Sequence, residues 1–362
     1  MKTIIADIFR DWQKTFLRQN NVAKEVVRAI FDIIKCKTPD MGRGIFVYCP
    51  DCGFSKFYYQ SCGNRNCPQC GHQKISKWLE KRQAEMLAVN YFMVTFTLPH
   101  EFNYYFKLYP AKMVNLFFTA ASQSLHKIGE RKLKGQIGFM MVYQSWRRDG
   151  GFHPHIHCLI PGVALSKNKQ YCLFPKKREF LFSAKPLSAL FKGKFNSMLK
   201  DLPENIKAQQ QVIHKKYVVD IKCVGNSMSS FKYLAAYTQR GFISNDRILN
   251  YDGQNVIFSY TESATAKKHT RKLTALKFMS LYFQHVMPKA FQRIRYYGFW
   301  GAAARKSLNV IQEILSGETL EKYKSQKAEY LSESFDIKNE SICPICKASM
   351  QVKHQRGPPG HR

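Results

Sequence analysis

The hydrophobic pattern of the first part of the chain predicts helices on both sides of a cysteine-rich segment. Apolar residues recur at helical spacing over residues 4–16, and the pattern repeats over residues 22–34 after a short polar break. Residues 36–72 are rich in Cys and Gly with short aromatic runs, and helical spacing returns over residues 73–88. We therefore predict one or two amphipathic helices over residues 3–35 and another after the cysteine-rich segment.

The pattern changes at Tyr91, where runs of β-branched and aromatic residues begin. These runs predict strands at residues 91–99, 136–146, 152–160, 217–224 and 255–261. Helical spacing predicts helices at residues 111–130, 185–200, 229–240, 272–286 and 302–316. The Asp149-Gly150-Gly151 turn joins the second predicted strand to the third. The expected fold class is α+β, an antiparallel sheet with helices on one face.

Positive charge dominates the chain, since 57 Lys and Arg residues stand against 25 Asp and Glu for a net charge of +32. The excess runs through most of the sequence, which favours a polyanion partner over a basic tail that only aids solubility. The 14% aromatic content adds rings on which unpaired bases can stack. DNA, and single-stranded DNA in particular, is therefore the expected partner.

The location expected from the sequence is the cytoplasm of a bacterium, in association with the nucleoid. No apolar run approaches the ~18 residues that a membrane-spanning helix needs. The amino terminus is polar and periodic, unlike a secretory signal. The 11 cysteines are clustered, which in such a chain favours zinc binding over a disulfide framework.

Two CPxCG motifs predict a zinc ribbon. Cys49 and Cys52 form the first knuckle, and Cys67 and Cys70 form the second. Each knuckle brings two thiolates to one metal, and the Gly after its second Cys permits a tight turn. The four cysteines together suit one tetrahedral, structural Zn²⁺, and a chance or disulfide origin is the weaker alternative.

The remaining clustered cysteines leave alternatives open. Cys36 and Cys62 are core cysteines, alternate ligands of that zinc or, with His72, part of a second site. Cys343 and Cys346 form a third knuckle, which belongs to a second zinc site, completes a site elsewhere or lies in a frayed tail. Its later candidate partners in the sequence are His354 and His361.

The motif His153-Pro154-His155-Ile156-His157 predicts a metal site on a strand. Alternate residues of a strand share a face, so the histidines lie together while the apolar residues between them face the core. Two neutral imidazoles at i and i+2 can share a divalent cation, although a histidine pair on a solvated strand is the alternative. We expect His155 and His157 as ligands and His153 as the least suited. The candidates for a third ligand are Gln144, Asp149 and Gln239.

Tyr233 and Tyr237 are four residues apart and share one face of a predicted helix. A core aromatic pair is the ordinary interpretation, and a pair of nucleophiles is the functional one. Nearby cations can activate a phenol whose usual pKa is ~10, and its attack on phosphorus gives a 5′-phosphotyrosine. We expect DNA contacts from the basic residues near these motifs, which are Arg65, Lys74, Lys77, Arg147, Arg148, Lys232 and Arg240.

Together these motifs resemble the two-tyrosine HUH transposases of rolling-circle insertion sequences. The residues that carry the resemblance are Cys36-Lys37-Thr38-Pro39, SCGNRNCPQCG (61–71), YFMVTFTLPHEF (91–102), HPHIHCLIPG (153–162) and YLAAYTQRGFISNDRI (233–248). The resemblance implies a helical arm and zinc-ribbon DNA-binding domain over residues 1–90. It also implies an HUH endonuclease domain with a ferredoxin/RRM-like sheet over residues 91–265, and a helical carboxyl-terminal region with the late CPxC knuckle over residues 266–362.

The resemblance implies that His155 and His157 bind Mg²⁺ or Mn²⁺, and that Tyr233 and Tyr237 attack DNA. The expected function is a transposase that nicks and joins single-stranded or hairpin element ends. One alternative is an HUH replication initiator of plasmid or phage type, and another is a non-catalytic zinc-ribbon DNA-binding protein. A DDE-type enzyme is disfavoured because it needs three carboxylates around two metals and acidic residues are scarce. An inactivated copy is a minority alternative.

Overall fold

The computed structural model describes residues 4–70, 78, 82, 84–199, 215–225, 241–262, 265–317 and 342–355. The helices in this part of the chain are α1 (Ile5–Gln19), α2 (Lys24–Lys35), α3 (Asn103–Leu108), α4 (Pro110–Leu133), α5 (Ala184–Leu199), α6 (Ala275–Phe283) and α7 (Arg305–Ser316). The first strands are β1 (Gly44–Tyr48), β2 (Ser55–Tyr59), β3 (Tyr91–Thr97), β4 (Gln136–Ile137), β5 (Phe139–Trp146), β6 (Phe152–Pro161), β7 (Ala164–Leu165) and β8 (Cys172–Leu173). The later strands are β9 (Val218–Gly225), β10 (Ile248–Tyr251), β11 (Asn255–Thr261), β12 (Lys268–Thr274), β13 (Ile294–Tyr297) and β14 (Gln351–Gln355).

A five-stranded antiparallel sheet with the order β13-β5-β6-β3-β9 forms the centre of the described structure. Phe96 of β3 and Ile156 and Cys158 of β6 are fully buried on one of its faces, under α4 and α5. The ring centroids of Phe96 and Phe191 lie 5.0 Å apart in an edge-on contact. The antiparallel sheet and its helical layer confirm the predicted α+β class.

Helices also cover part of the opposite face, where none was predicted. Met140 and Leu159 pack there with Trp300 and with residues of α7. Further along β6 on this same face come His157 and His155, because side chains alternate along a strand. The histidine strand therefore runs from a closed apolar layer toward the end of the sheet.

The amino-terminal helices share a hydrophobic core with residues from the second half of the chain. The ring of Phe9 in α1 lies 4.8 Å from that of Phe283 and 5.0 Å from that of Tyr282, both in α6. Nε1 of Trp12 donates a 2.9 Å hydrogen bond to the carbonyl oxygen of Gly253. The same core includes buried residues of β10 and β11. The three-part division at residues 90 and 265 stays a prediction, and this core joins its first and last parts.

Two predicted elements are divided in the structure, while most others shift by a few residues at their ends. The helix predicted over residues 272–286 begins only at Ala275, because the preceding residues form β12 and pair with β11. Thr274 ends that strand, and its hydroxyl accepts a hydrogen bond from the backbone N–H of Lys277, which caps the helix. The strand predicted over residues 136–146 is divided at Gly138 into β4 and β5. The helix predicted over residues 229–240 lies outside the described residues, as does most of residues 73–88.

Among the helices of the described residues, none has the length and apolarity needed to cross a bilayer.

Candidate active site and cysteine clusters

Gln144 and His155 face each other on the antiparallel strands β5 and β6. Oε1 of Gln144 lies 3.0 Å from Nε2 of His155. The other ring nitrogen, Nδ1, lies 2.7 Å from the backbone oxygen of His153, and since a carbonyl only accepts, Nδ1 is the atom that carries the proton. In the neutral ring, Nε2 of His155 is then a lone-pair atom that faces the amide of Gln144, which fits a shared divalent cation.

His157 follows on the same face of β6, with its ring centroid 4.8 Å from that of His155. Its cross-strand neighbour on β3 is Thr95, whose hydroxyl oxygen lies 3.1 Å from Nδ1 of His157. Burial lowers the pKa of His155 to about 4. Burial, and then the neighbouring His155, hold the pKa of His157 well below its usual value. Both imidazoles are therefore neutral at pH 7, which is the form that binds a metal.

His153 lies at the outer end of the histidine strand. Its ring centroid is 5.4 Å from that of His155, and its backbone oxygen accepts the hydrogen bond that orients the His155 ring. Burial and then the positive charge of Arg147 lower its pKa. The structure thus gives His153 a positioning contact with His155 through its backbone.

The other third-ligand candidates differ from Gln144 in their placement. The carboxylate of Asp149 accepts hydrogen bonds from the backbone N–H of Gly151 and from the guanidinium of Arg147, so it is engaged in the turn between β5 and β6. Gln239 lies outside the described residues. Gln144 is therefore the candidate that the structure brings to the histidines.

A basic cavity of about 560 Å³ opens where β6 begins. Lys107, Arg147 and Arg271 bring positive charge to its lining, and Phe152 and Tyr260 bring aromatic rings. Nζ of Lys107 lies 5.1 Å from the ring centroid of Phe152, within the range of a cation–π contact. Cations beside aromatic rings suit the backbone and bases of unpaired DNA.

Sequence reasoning named Arg147 among the residues of this cavity and missed Lys107, Arg271 and Tyr260. Two sequence features could have pointed to Arg271 and Tyr260. The segment that forms β12 is rich in basic residues, and the segment that forms β11 carries aromatic residues at alternate positions; the two strands pair in one sheet. Lys107 comes from α3, and only the tertiary fold brings it to β6.

The other basic residues expected to contact DNA have varied surroundings. Arg65 is half-buried, and its Nη1 donates a 2.7 Å hydrogen bond to the backbone oxygen of Phe291, which gives it a structural contact. Arg147 and Arg148 are exposed at the β5–β6 turn. The expected residues that lie outside the described part of the chain are Lys74, Lys77, Lys232, Arg240 and the two tyrosines, Tyr233 and Tyr237.

Cys36, Cys62, Cys67 and Cys70 come together in one cluster, with their sulfur atoms within 4.8 Å of one another. The Sγ atom of Cys70 lies 3.3 Å from that of Cys36 and 3.5 Å from that of Cys62. These separations are far longer than the ~2.0 Å of a disulfide. They approach the ~3.8 Å edge of a tetrahedron of thiolates around Zn²⁺ with ~2.3 Å metal–sulfur bonds. The residues fit a structural zinc.

The sequence placed the first and second knuckles on one metal, and the structure separates them. Cys49 and Cys52 group instead with Cys343 and Cys346. The physical reason is the length of the β1–β2 hairpin. Its turn carries the first knuckle, and its open end, where Gly44 pairs with Tyr59, leads to the Cys36 cluster. Four strand steps correspond to roughly 13 Å, which is too far for one ion to bridge. Of the three alternatives for Cys36 and Cys62, the structure supports that of zinc ligands, because they join Cys67 and Cys70 in the places that the sequence prediction gave to Cys49 and Cys52. His72 lies outside the described residues.

Two family models match the chain. The transposase zinc-binding domain of the IS91 type matches residues 8–98, and the Y2_Tnp model, described as "Putative transposase", matches residues 138–307. The "Putative transposase y4qJ" of Sinorhizobium fredii is 27% identical over 96% of this chain and 94% of its own length. The "Transposase for insertion sequence element IS801" of Pseudomonas savastanoi pv. phaseolicola is 24% identical over 68% of this chain and 63% of its own length. No solved structure matches the chain.

The first model spans the cysteine-rich segment, and the second spans the histidine strand and the tyrosine motif. Both relatives carry the name of a transposase, and one is the transposase of an insertion sequence. These matches show that the chain is a DNA transposase with an amino-terminal zinc-binding domain of the IS91 type.

Proposed function

We propose that this transposase cleaves and joins single-stranded DNA at an HUH-type site, where His155 and His157 hold Mg²⁺ or Mn²⁺ and Tyr233 and Tyr237 are the nucleophiles. The observation that carries the proposal is the 3.0 Å approach of Gln144 Oε1 to His155 Nε2. With Nδ1 protonated, the amide oxygen and the imidazole nitrogen are two lone-pair atoms that one divalent cation can share. Oxygen and imidazole ligands together suit Mg²⁺ or Mn²⁺ with positions left for phosphate.

The atoms behind the histidines support this ligand assignment. The backbone oxygen of His153 fixes the ring of His155 through Nδ1. The hydroxyl of Thr95 can accept in the same way from Nδ1 of His157, which directs Nε2 of that ring to the metal. When bound, the metal polarises the scissile phosphate for attack.

The chemical step is a phosphoryl transfer to tyrosine. The phenol gives up its proton and its oxygen bonds to phosphorus, while the bond from phosphorus to the 3′-oxygen of the upstream nucleotide breaks. The leaving oxygen takes up a proton and becomes a free 3′-OH. One phosphodiester replaces another, so a 3′-OH can later attack the phosphotyrosine and rejoin strands without ATP. The second tyrosine permits a second cleavage while the first product stays attached.

The basic cavity supports the binding of a single strand beside this site. Lys107, Arg147 and Arg271 can contact phosphates, and Tyr260 and Phe152 offer faces for unpaired bases. Because Gly151 and Phe152 line the cavity, DNA bound in it would lie at the end of the sheet where β6 and its histidine motif begin. The proposed substrates are element ends presented as single strands or hairpins.

The test is a cleavage and joining assay with end-labelled single-stranded DNA that carries the ends of the element, in Mn²⁺ or Mg²⁺. An unlabelled acceptor strand with a free 3′-OH is included, and products are separated on denaturing gels with and without protease. We expect a metal-dependent covalent protein–DNA adduct and a joined product. Tyr233→Phe or Tyr237→Phe should abolish one cleavage, and His155→Ala should abolish both.

Tyr171→Phe is the matched control, since Tyr171 is an exposed tyrosine outside the motif. It should react like the wild type. Tight DNA binding without any adduct would overturn the proposal and favour the non-catalytic DNA-binding alternative. Adduct formation that survives both motif substitutions together would show that another residue is the nucleophile.

A further inference from the structure

We propose that Cys49, Cys52, Cys343 and Cys346 form a second zinc site, which fastens the carboxyl-terminal segment of the chain to the amino-terminal β-hairpin. Neither knuckle of this site has a complete ligand set of its own, because each supplies two cysteines. The metal would therefore link distant segments of the chain. Cys49 and Cys346, which are close in space, are 297 residues apart in sequence, and Cys52 and Cys343 are 291 residues apart.

The sulfur positions match a tetrathiolate site. Sγ of Cys49 lies 3.4 Å from that of Cys346, and Sγ of Cys52 lies 3.5 Å from that of Cys343. All four sulfur atoms lie within 4.8 Å of one another. The separations exceed a disulfide bond and approach the ~3.8 Å edge of a zinc tetrathiolate.

The two knuckles have the same backbone geometry. The N–H of Cys49 donates to the carbonyl of Phe54 at 2.8 Å, and the N–H of Gly53 donates to the carbonyl of Cys49 at 3.1 Å. Around the third knuckle, the N–H of Cys343 donates to the carbonyl of Ala348 at 2.8 Å, and that of Lys347 donates to the carbonyl of Cys343 at 3.0 Å. The two knuckles thus make the same backbone hydrogen bonds at the same sequence spacing.

The residue after the second cysteine has the same backbone conformation in both knuckles. Gly53 has φ +73°, and Lys347 has φ +63°, a left-handed conformation that is uncommon for a residue with a side chain. A Cys-x-x-Cys segment needs this bend for its backbone N–H groups to turn toward the sulfurs. In each knuckle the first cysteine is buried and the second is exposed. Two knuckles with equal geometry and facing sulfurs indicate a built site.

Strand pairing brings the knuckles to the same end of the ribbon. β14 pairs antiparallel with β1 from Gly44 opposite Gln355 to Tyr48 opposite Gln351, and the side chains of Tyr48 and Gln351 are hydrogen-bonded. Cys49 follows directly after β1, and the third knuckle comes shortly before β14. The paired strands and the metal would thus hold the same two segments, and the ribbon has three strands, in the order β14-β1-β2.

This site is separate from the Cys36 cluster, which lies toward the other end of the β1–β2 hairpin. A metal at this site stabilises the joined segments, because the four thiolates come together only in the folded chain and the free energy of metal binding adds to that of folding. The predicted stoichiometry is two zinc ions per chain, and the two ions should be removable independently.

The experiment measures zinc per purified full-length chain by atomic emission and, after exchange, the absorption of Co²⁺. We expect two metals in the wild type and one in Cys346→Ser, with the helical circular dichroism retained. Cys62→Ser should also lose one metal, and a chain with both substitutions should lose two. Cys172→Ser is the control, because Cys172 is a half-buried cysteine outside both clusters, and it should keep two metals.

Cys346→His serves as a rescue, since imidazole can replace thiolate in a zinc site. It should restore the second metal and shift the Co²⁺ ligand-field bands to higher energy, as expected when nitrogen replaces sulfur. Limited proteolysis should release the carboxyl-terminal segment from Cys346→Ser at least ten times faster than from the rescue variant. A wild type with a single metal, or a Cys346→Ser chain that keeps two metals or loses both, would overturn the proposal.

Discussion

Oε1 of Gln144 and Nε2 of His155 lie 3.0 Å apart across neighbouring antiparallel strands, and both are lone-pair atoms when Nδ1 of His155 carries the ring proton. This pair links the register of the sheet to its proposed chemistry. A shift of one residue between β5 and β6 would turn Gln144 to the opposite face, under α4 and α5.

The first prediction concerns Gln144 as a metal ligand. Gln144→Leu keeps a similar volume and removes the oxygen, so we expect the affinity for Mn²⁺ to fall at least ~10-fold. Gln144→Glu supplies a carboxylate in the same place and should bind Mn²⁺ at least as tightly as the wild type. Titration calorimetry measures both, with Gln170→Leu at an exposed position as control. Equal affinities in all four proteins would exclude Gln144 from the metal site.

The second prediction concerns the contribution of His285 to the pH dependence of stability. Burial lowers the pKa of His285 to about 4, while Nδ1 lies 3.1 Å from the hydroxyl of Ser145 and Nε2 lies 2.9 Å from the carbonyl oxygen of Gly150. The folded state therefore holds the neutral ring, and the unfolded state protonates near pH 6.5. The stabilisation is present above pH 6.5 and is lost as the pH falls toward 4.

The shift corresponds to about 3 kcal/mol of unfolding free energy between these pH values. Urea unfolding of the wild type and His285→Gln at pH 7, 5.5 and 4.5 measures it as a difference. The stability advantage of the wild type should shrink steadily as the pH falls. An advantage that stays constant with pH would mean that the ring does not titrate between the two states.

The third prediction concerns Lys107 and Arg271 as phosphate contacts in the basic cavity. Each contact to single-stranded DNA contributes about 0.7 to the slope of log K against log salt. Replacing both residues by Ala should weaken binding at low salt and reduce the slope by roughly 1.4. Fluorescence anisotropy with a labelled oligonucleotide at several salt concentrations measures the slope. Lys185→Ala, an exposed lysine that does not line the cavity, should leave it close to the wild-type value.

The fourth prediction concerns the close approach of the chain at Gly138. A Cβ atom at this position would lie 2.4 Å from the ring of Phe299, which is fully buried. Gly138→Ala should therefore destabilise the protein by about 1–3 kcal/mol through overpacking. Gly193→Ala is the matched control, because Gly193 lies within α5 with no atom near its missing Cβ. That change should stabilise the helix by up to ~1 kcal/mol, and thermal unfolding compares the two.

The sequence was sufficient to predict the elements that follow from local periodicity. The alternation in β6 correctly separated His155 and His157 from Ile156 and Cys158. Successive side chains of a strand point to opposite faces, so an apolar face determines which residues lie on the other one. The helical spacing of residues 4–34 likewise predicted α1 and α2. The strand β12 was missed because its exposed basic residues, Lys268 to Lys272, give no apolar alternation.

Longer-range relationships were beyond the sequence. Gln144 was one of three candidates for the third ligand, and only the cross-strand register distinguished it from Asp149. The partner of the first knuckle was wrongly sought in the second, because spacing alone favoured the nearer cysteines over Cys343 and Cys346. The length of the β1–β2 hairpin determines which knuckles share a metal, and the order of the cysteines in the sequence does not reveal it.

The packing of α1 against α6 limits how this transposase can be divided. Phe278 and Phe283 lie in the core that Phe9 and Phe16 complete. A fragment that starts at Tyr91 would retain the central sheet and its histidines, but it would carry an uncovered aromatic surface on α6. We expect such a fragment to aggregate unless a separately expressed peptide of residues 1–90 is supplied. Rescue by that peptide would show that the two pieces associate through the aromatic core between α1 and α6.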